Sequence, residues 1–273
     1  MTVTFNDIQA MLASRPVITT PHEDLCHGVV QFLERNNIHL SSEWLETVRR
    51  LSVLASVQWP QSAHPRVALY ASSYGLDNNA VAARLQKLAQ QQDPLTQLCA
   101  LVNADLRVYE LDLNSSVPEG GLSETEACHA LSYGLMAVEE HVDGLVVGSL
   151  SNGAAEIMQK WHDALVQDAQ ADAFITLQKT GGGTDIFAML GAVCAARMAK
   201  IPVFMAEKQA ALWAVVMARL LPDDTVSHCV ALPGELQADD VTQALAAVQN
   251  LRFMLALVPQ LSPKTGITMP SAA

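Results

Sequence analysis

ADAFITLQKTGGGTDIFAMLGAVCAARMAKIPVFMAEKQAALWAVVMARLL, running from Ala171 to Leu221, decides the fold. In order it reads as strand, glycine turn, helix, strand and helix. Ala173–Leu177 is a short apolar run with β-branched residues, the mark of a buried strand. Gly181, Gly182 and Gly183 supply a turn whose backbone can take positive φ and come close to a ligand. Thr184 and Asp185 are N-cap residue types, and Ile186–Met198 is a small-residue helix with an apolar stripe. A glycine turn opening onto a helix N-terminus presents amide donors and a positive dipole end, which suits an anion such as phosphate. A tight connection between two elements, with no ligand, uses the same residues equally well.

On either side of this stretch the pattern repeats. Val67–Ala71, Leu106–Leu113, Gly144–Leu150, Ile201–Met205 and Ser227–Leu232 read as further strands, giving at least six. Helices are predicted at Asn78–Gln92, from a capping box at Ser123 and Glu126 to about Glu140, and at Ala154–Val166. Strand and helix alternate, and the strands are continuously apolar, so the fold class is α/β: a doubly wound parallel sheet with helices on both faces. Residues 1–60 read as an N-terminal helical segment (Phe5–Leu12, Asp24–Leu33, Ser42–Val57). Gln58–Pro65 is a linker, 65–260 the large α/β domain, and 261–273 a C-terminal tail.

In such sheets ligands bind beyond the C-terminal ends of the strands. The loops Ser72–Gly75, Ser149–Gly153 and Thr180–Asp185 are expected there as one site. Their glycines, serines, Asn152, Thr184 and Asp185 suit a sugar phosphate but include no obvious strong base or nucleophile. Ser149 and Ser151 have a plainer reading as turn-capping hydroxyls, Asp185 as a cap, Glu207 as a first-turn acid and His228 as a structural histidine. There is no G-x-S-x-G elbow, Walker lysine loop, H-E-x-x-H pair or full dinucleotide fingerprint.

Composition narrows the partners. The 273 residues carry a net charge of −12 with only 16 Lys and Arg, which argues against nucleic acid or an anionic membrane. No apolar run is long enough to span a bilayer, and the N-terminus lacks a basic start followed by an apolar core. The five cysteines (Cys26, Cys99, Cys128, Cys194, Cys229) are scattered and form no C-x-x-C, as expected of reduced thiols in a soluble cytoplasmic protein. His22, Cys26 and His27 lack a second ligand pair, so no metal and no cofactor are expected.

Residues Gly182, Gly183, Asp185, Ile186, Ala188, Gly191, Ala192, Ala195, Ala196 and Ile201-Pro202-Val203 resemble a specific set. The nicotinate-nucleotide:dimethylbenzimidazole phosphoribosyltransferase family of cobalamin biosynthesis carries Gly-Gly-x-Asp/Glu-Ile-Ala-Ala, a Gly-Ala-x-x-Ala-Ala helix and Ile-Pro-Val. Pro65-Arg66-Val67, Ala71 with Gly75, Gly144–Asn152 and Ser227-His228 extend the resemblance over most of 65–270. It implies a doubly wound large domain, a small helical domain and a homodimer. The implied reaction moves the ribose phosphate of nicotinate mononucleotide onto a benzimidazole nitrogen, releasing nicotinate. The implied substrate- and phosphate-binding positions are Ser73, Tyr74, Gly148, Ser149, Asn152, Gly153, Gly182, Gly183 and Asp185.

This chain departs from the family where the chemistry is done. Ala-Asp-His-Gly becomes Ser72-Ser73-Tyr74-Gly75, and the phosphate loop, Gly148-Ser149-Leu150-Ser151-Asn152-Gly153, is about two residues shorter and lacks a Glu. The Asp-Gly pair after Ile-Pro-Val becomes Ala206-Glu207. In the motif that supplies the family's general base, Leu-Gly-Glu-Gly, the Glu position reads Pro263. Proline cannot accept a proton, and general-base assistance is worth about 10²–10⁴ in rate. The expectation is therefore a divergent homologue with no catalytic residue at that position and with weakened or lost transfer. The alternative is a non-catalytic protein that binds a nucleotide or base on the same fold.

Overall fold

In a computed structural model, residues 4–14, 64–74, 78–113, 120–221 and 228–231 are described, together with single helical positions at 31–47 and 241–249. The elements in chain order are α1 (Phe5–Ala13), β1 (Pro65–Ser72), α2 (Asn78–Ala89), α3 (Pro94–Leu101), β2 (Asp105–Asp112), α4 (Glu124–Leu135) and β3 (Gly144–Ser149). There follow α5 (Ala154–Gln167), α6 (Ala173–Lys179), α7 (Thr184–Ala199), β4 (Val203–Met205), α8 (Glu207–Leu220) and β5 (Cys229–Ala231). The described strands are all parallel, in the order β2-β1-β3-β4-β5. Much of the expected N-terminal helical region, the linker before His64 and the tail 261–273, with Pro263, lie outside the described residues. Gln31, Arg35, Ser42 and Thr47 are helical.

The sheet is buried on both faces, and side-chain alternation divides it cleanly. Ala68, Tyr70, Leu145, Val147, Val203 and Met205 face a core shared with α1, α4, α5, α6, α7 and α8. Val67, Leu69, Ala71, Val146, Phe204 and Val230 face the opposite side, covered by α2, α3 and the helical residues Val241, Ala244, Leu245 and Val248. This is the doubly wound sheet read from the continuous apolar strands.

One predicted strand is a helix. Ala173–Leu177 forms α6, so the described sheet has five strands where at least six are expected. Asp172 decides it: its side chain accepts the Ile175 amide as an N-cap, which starts a helical turn. A five-residue apolar run cannot by itself distinguish a buried strand from a buried helix face. α3 has no counterpart among the predicted helices, although Asp93 before Pro94 is a helix start of the same kind, with Asp93 accepting the Leu95 amide at 2.9 Å. The Ser123–Glu126 capping box is present: the Glu126 amide donates to Ser123 Oγ at 3.3 Å and the Ser123 amide to Glu126 Oε2 at 2.9 Å.

α7 is buried on nearly every side, which explains its small, apolar composition. It packs on α4 almost backbone to backbone. A Cβ on Gly134 would lie 1.8 Å from the Ala188 carbonyl oxygen, and one on Gly191 would lie 2.0 Å from that of Leu131. At the opposite, N-terminal edge of the sheet, the fully buried Arg66 donates to Asp105 (2.9 Å), Glu139 (3.1 Å) and the Ala137 carbonyl (3.0 Å). Its charge is thus matched within β1's own neighbourhood and plays no part in the loops at the other end.

Cys99, Cys128, Cys194 and Cys229 are buried as reduced thiols. Burial pushes the Cys99 and Cys194 thiols up to about 12 and the Cys128 thiol up to about 11. A thiol-titrating disulfide reagent at pH 8 should therefore find at most one fast-reacting cysteine in the native chain and all five after denaturation. A second fast-reacting thiol in the native chain would contradict the packing described.

Candidate functional site

The strand order turns back at β1. The chain leaves β1 towards α2 on one face, and leaves β3 towards α5 on the other, so the exits diverge and open a crevice between the C-terminal ends of β1 and β3. α7 runs back across the face of the sheet and points its N-terminus into this crevice. The loop 180–183 arrives on α6 and not on a strand, but the three expected loops do meet.

Asp185 is where they meet. It lies in the first turn of α7 and is fully buried. Ser72 Oγ donates to its Oδ1 at 2.8 Å and the Tyr74 hydroxyl to the same oxygen at 2.7 Å, while Ser149 Oγ donates to Oδ2. A second layer supports these donors. The Ser72 amide donates to Ser151 Oγ at 2.7 Å, and the Ser151 amide to Ser149 Oγ at 2.9 Å. The Gly183 amide donates to the Tyr74 hydroxyl at 3.1 Å. The positive end of α7 adds favourable electrostatics for the carboxylate. Burial, and then the adjacent carboxylate, hold the Tyr74 phenol far above its ordinary range, so it stays a proton donor to Asp185.

The capping role read for Asp185 does not hold. Gly183 is the N-cap residue, no side chain caps α7, and the Asp185 carboxylate turns inward to the hydroxyls of two strand ends. Ser149 acts as a turn-capping hydroxyl towards the Ser151 amide and is also bound to Asp185, whereas Ser151 Oγ accepts the Ser72 amide at the end of β1. Ser73 faces away and donates to Asn78 Oδ1 at 2.9 Å, and Asn152 is exposed. Ser72, absent from the predicted set, is the buried donor. Strand alternation marks it, since Ser72 falls two residues after Tyr70 on the face that meets α7.

The glycines also have local partners. A Cβ on Gly148 would lie 2.2 Å from Val241 Cγ2, and one on Gly182 2.4 Å from Leu177 Cδ1. One on Gly183 would lie 2.8 Å from the Tyr74 ring. Gly153 has φ +97° and opens α5 in the left-handed region, where glycine is favoured. His228 is buried, and its Nε2–H donates to the Val193 carbonyl at 2.8 Å, the structural role expected of it. Glu207 begins α8. Among the described residues no group of three or more His, Cys, Asp or Glu stands together as metal ligands, and no helix is long and apolar enough to cross a membrane. His22, Cys26 and His27 lie outside the described residues.

No family model matches the chain. It is 25% identical over 230 residues to a nicotinate-nucleotide–dimethylbenzimidazole phosphoribosyltransferase of Rhizobium rhizogenes, spanning 66% of this chain and 68% of that one. A protein of the same name from Brucella melitensis biotype 2 is 24% identical over 275 residues, spanning 82% and 78%. By sequence the chain is similar to this phosphoribosyltransferase family, at about a quarter of the aligned positions. Solved structures agree on the fold. The phosphoribosyltransferase from Thermus thermophilus superposes with a TM-score of 0.60 at 14% identity, over 80% of this chain and 92% of that one. A second structure from the same organism, described as CobT, gives 0.62 at 14% identity over 92% and 95%. The serine, tyrosine and aspartate cluster thus lies on the same fold as these structures, at the strand ends where this chain departs from the loop motifs of the sequences it resembles.

Proposed function

We propose that this protein retains the family's crevice as a binding site for a nicotinate nucleotide and an aromatic base, with phosphoribosyl transfer weakened or lost. The observation that carries this reading is the state of Asp185. Among the described residues it is the carboxylate of the cluster, and three hydroxyls occupy it. With its oxygens already taken up by three hydroxyls of this chain, the carboxylate has few acceptor sites left to offer an incoming base. The family's base position reads Pro263. The residues proposed to form the ligand site are Ser73, Tyr74, Gly148, Ser149, Asn152, Gly153, Gly182, Gly183 and Asp185. The same reading makes the protein a cytoplasmic homodimer.

Calorimetric titration with nicotinate mononucleotide and then with dimethylbenzimidazole tests the site. Both are expected to bind. Nicotinate release from the mixture is expected to run about 10²–10⁴ slower than in a relative that keeps the general base. Binding of neither compound would remove the site from the proposal, and turnover at the relative's full rate would remove the loss of catalysis. Sedimentation of the purified protein checks the dimer separately.

A further inference from the structure

We propose that Tyr74 is a latch on this site: its hydroxyl holds the Gly183 amide and the Asp185 carboxylate that an incoming ligand would engage, so tyrosine and ligand compete. The inference rests on the reading of the crevice between β1 and β3 as the ligand site. The phenol is bonded on both sides, donating to Asp185 Oδ1 at 2.7 Å and accepting the Gly183 amide at 3.1 Å. It thereby bridges the exit of β1 to the mouth of α7, where no side chain of the helix supplies a cap.

The residue beneath the ring is fitted to it. Gly183 has φ −86°, a conformation open to any residue, so the backbone does not demand glycine there. What excludes a side chain is the tyrosine together with the carboxylate it holds, since a Cβ would lie 2.8 Å from both Cζ and the hydroxyl oxygen and 2.9 Å from Asp185 Oδ1. The site's glycine therefore makes room for a residue of this chain.

Of the three residues whose hydroxyls reach Asp185, Tyr74 alone stands outside the strands and can swing away as a whole. Ser72 ends β1 and Ser149 ends β3, and both strands are tied into parallel ladders. Tyr74 stands two residues beyond β1. Its departure costs two hydrogen bonds and the burial of one ring, leaving Ser72 and Ser149 to hold the carboxylate.

Apparent affinity falls by the fraction of molecules in which the site is open. Two hydrogen bonds of ordinary net strength close it in all but about one in ten to one in a hundred molecules. Tyr74→Phe keeps the ring and removes both bonds. Gly183→Ala crowds the ring and Asp185 Oδ1 from a different direction and leaves the phenol itself in place.

The test is titration of wild type, Y74F and G183A with nicotinate mononucleotide, with stopped-flow association. Y74F is expected to bind at least about tenfold more tightly, with G183A shifted the same way. Wild-type association should level off with ligand concentration as opening becomes limiting, while that of Y74F stays linear. Binding by Y74F where wild type shows none counts equally for the latch. Unchanged or weaker binding by Y74F overturns the latch and leaves the ligand reading intact, because wild type still binds. Absence of binding by all three proteins overturns both. If Y74F loses its cooperative melting transition, G183A decides by the same criterion.

Discussion

Asp185→Ala will lower the stability of the protein by about 3–5 kcal/mol, and its melting temperature by roughly 6–15 °C. The side chain is fully buried and accepts from Ser72, Tyr74 and Ser149. Removing it strands three hydroxyls at once, and Ser72 at 2% exposure has little water to turn to. An unsatisfied buried polar group costs about 1–3 kcal/mol, and the partly exposed Tyr74 and Ser149 recover some of it through solvent. Asp185→Asn keeps the volume and an acceptor for two of the hydroxyls, so it should cost less than half as much. Differential scanning calorimetry of the two variants distinguishes the cases. Equal losses would mean that packing, and not the hydrogen bonds, holds the three loops together.

Gly134→Ala will cost about 3 kcal/mol or more, which is large for the addition of one methyl group. The new Cβ would fall 1.8 Å from the Ala188 carbonyl oxygen and 2.7 Å from the Ala192 amide, both backbone atoms that cannot rotate away. α4 and α7 must separate, and α7 carries Asp185 into the site. Gly191→Ala forces the same separation through the Leu131 carbonyl. The double variant should therefore lose less than the sum of the two single losses, because the second methyl enters a gap already opened by the first. Additive losses, measured by denaturant unfolding, would show that the two glycines act at independent contacts.

What the chain discloses on inspection follows from the range of the interactions involved. The sheet is legible because each strand carries its own evidence: Val67–Ala71 and Gly144–Ser149 are apolar on both sides and need no neighbour to be recognised. Ala173–Leu177 misleads because the apolar run looks like a strand until Asp172, one residue earlier, is weighed with it, and the Asp172 capping bond makes the helix. The three loops are legible as a group from the topology expected of a parallel sheet. Their internal arrangement is not. Asp185 resembles a cap when only residues 181–188 are in view, and its partners at Ser72 and Tyr74 lie 113 and 111 positions away. The glycines mislead in a related manner. Read alone, Gly148, Gly182 and Gly183 give no sign that the space beside each Cα is taken by Val241, Leu177 and Tyr74.

The separations that hide the cluster also fix when it can form. Its donors come from two strands that must already be paired, and its acceptor comes from a helix reached only after α5 and α6 have been laid down. Closing so wide a loop costs chain entropy that local contacts cannot return. The Asp185 hydrogen bonds are thus among the last made as the chain folds, and weakening them should hasten unfolding while leaving the folding rate nearly unchanged. A molecule in which these hydroxyls have found their carboxylate is one in which β1, β3 and α7 have already been brought together.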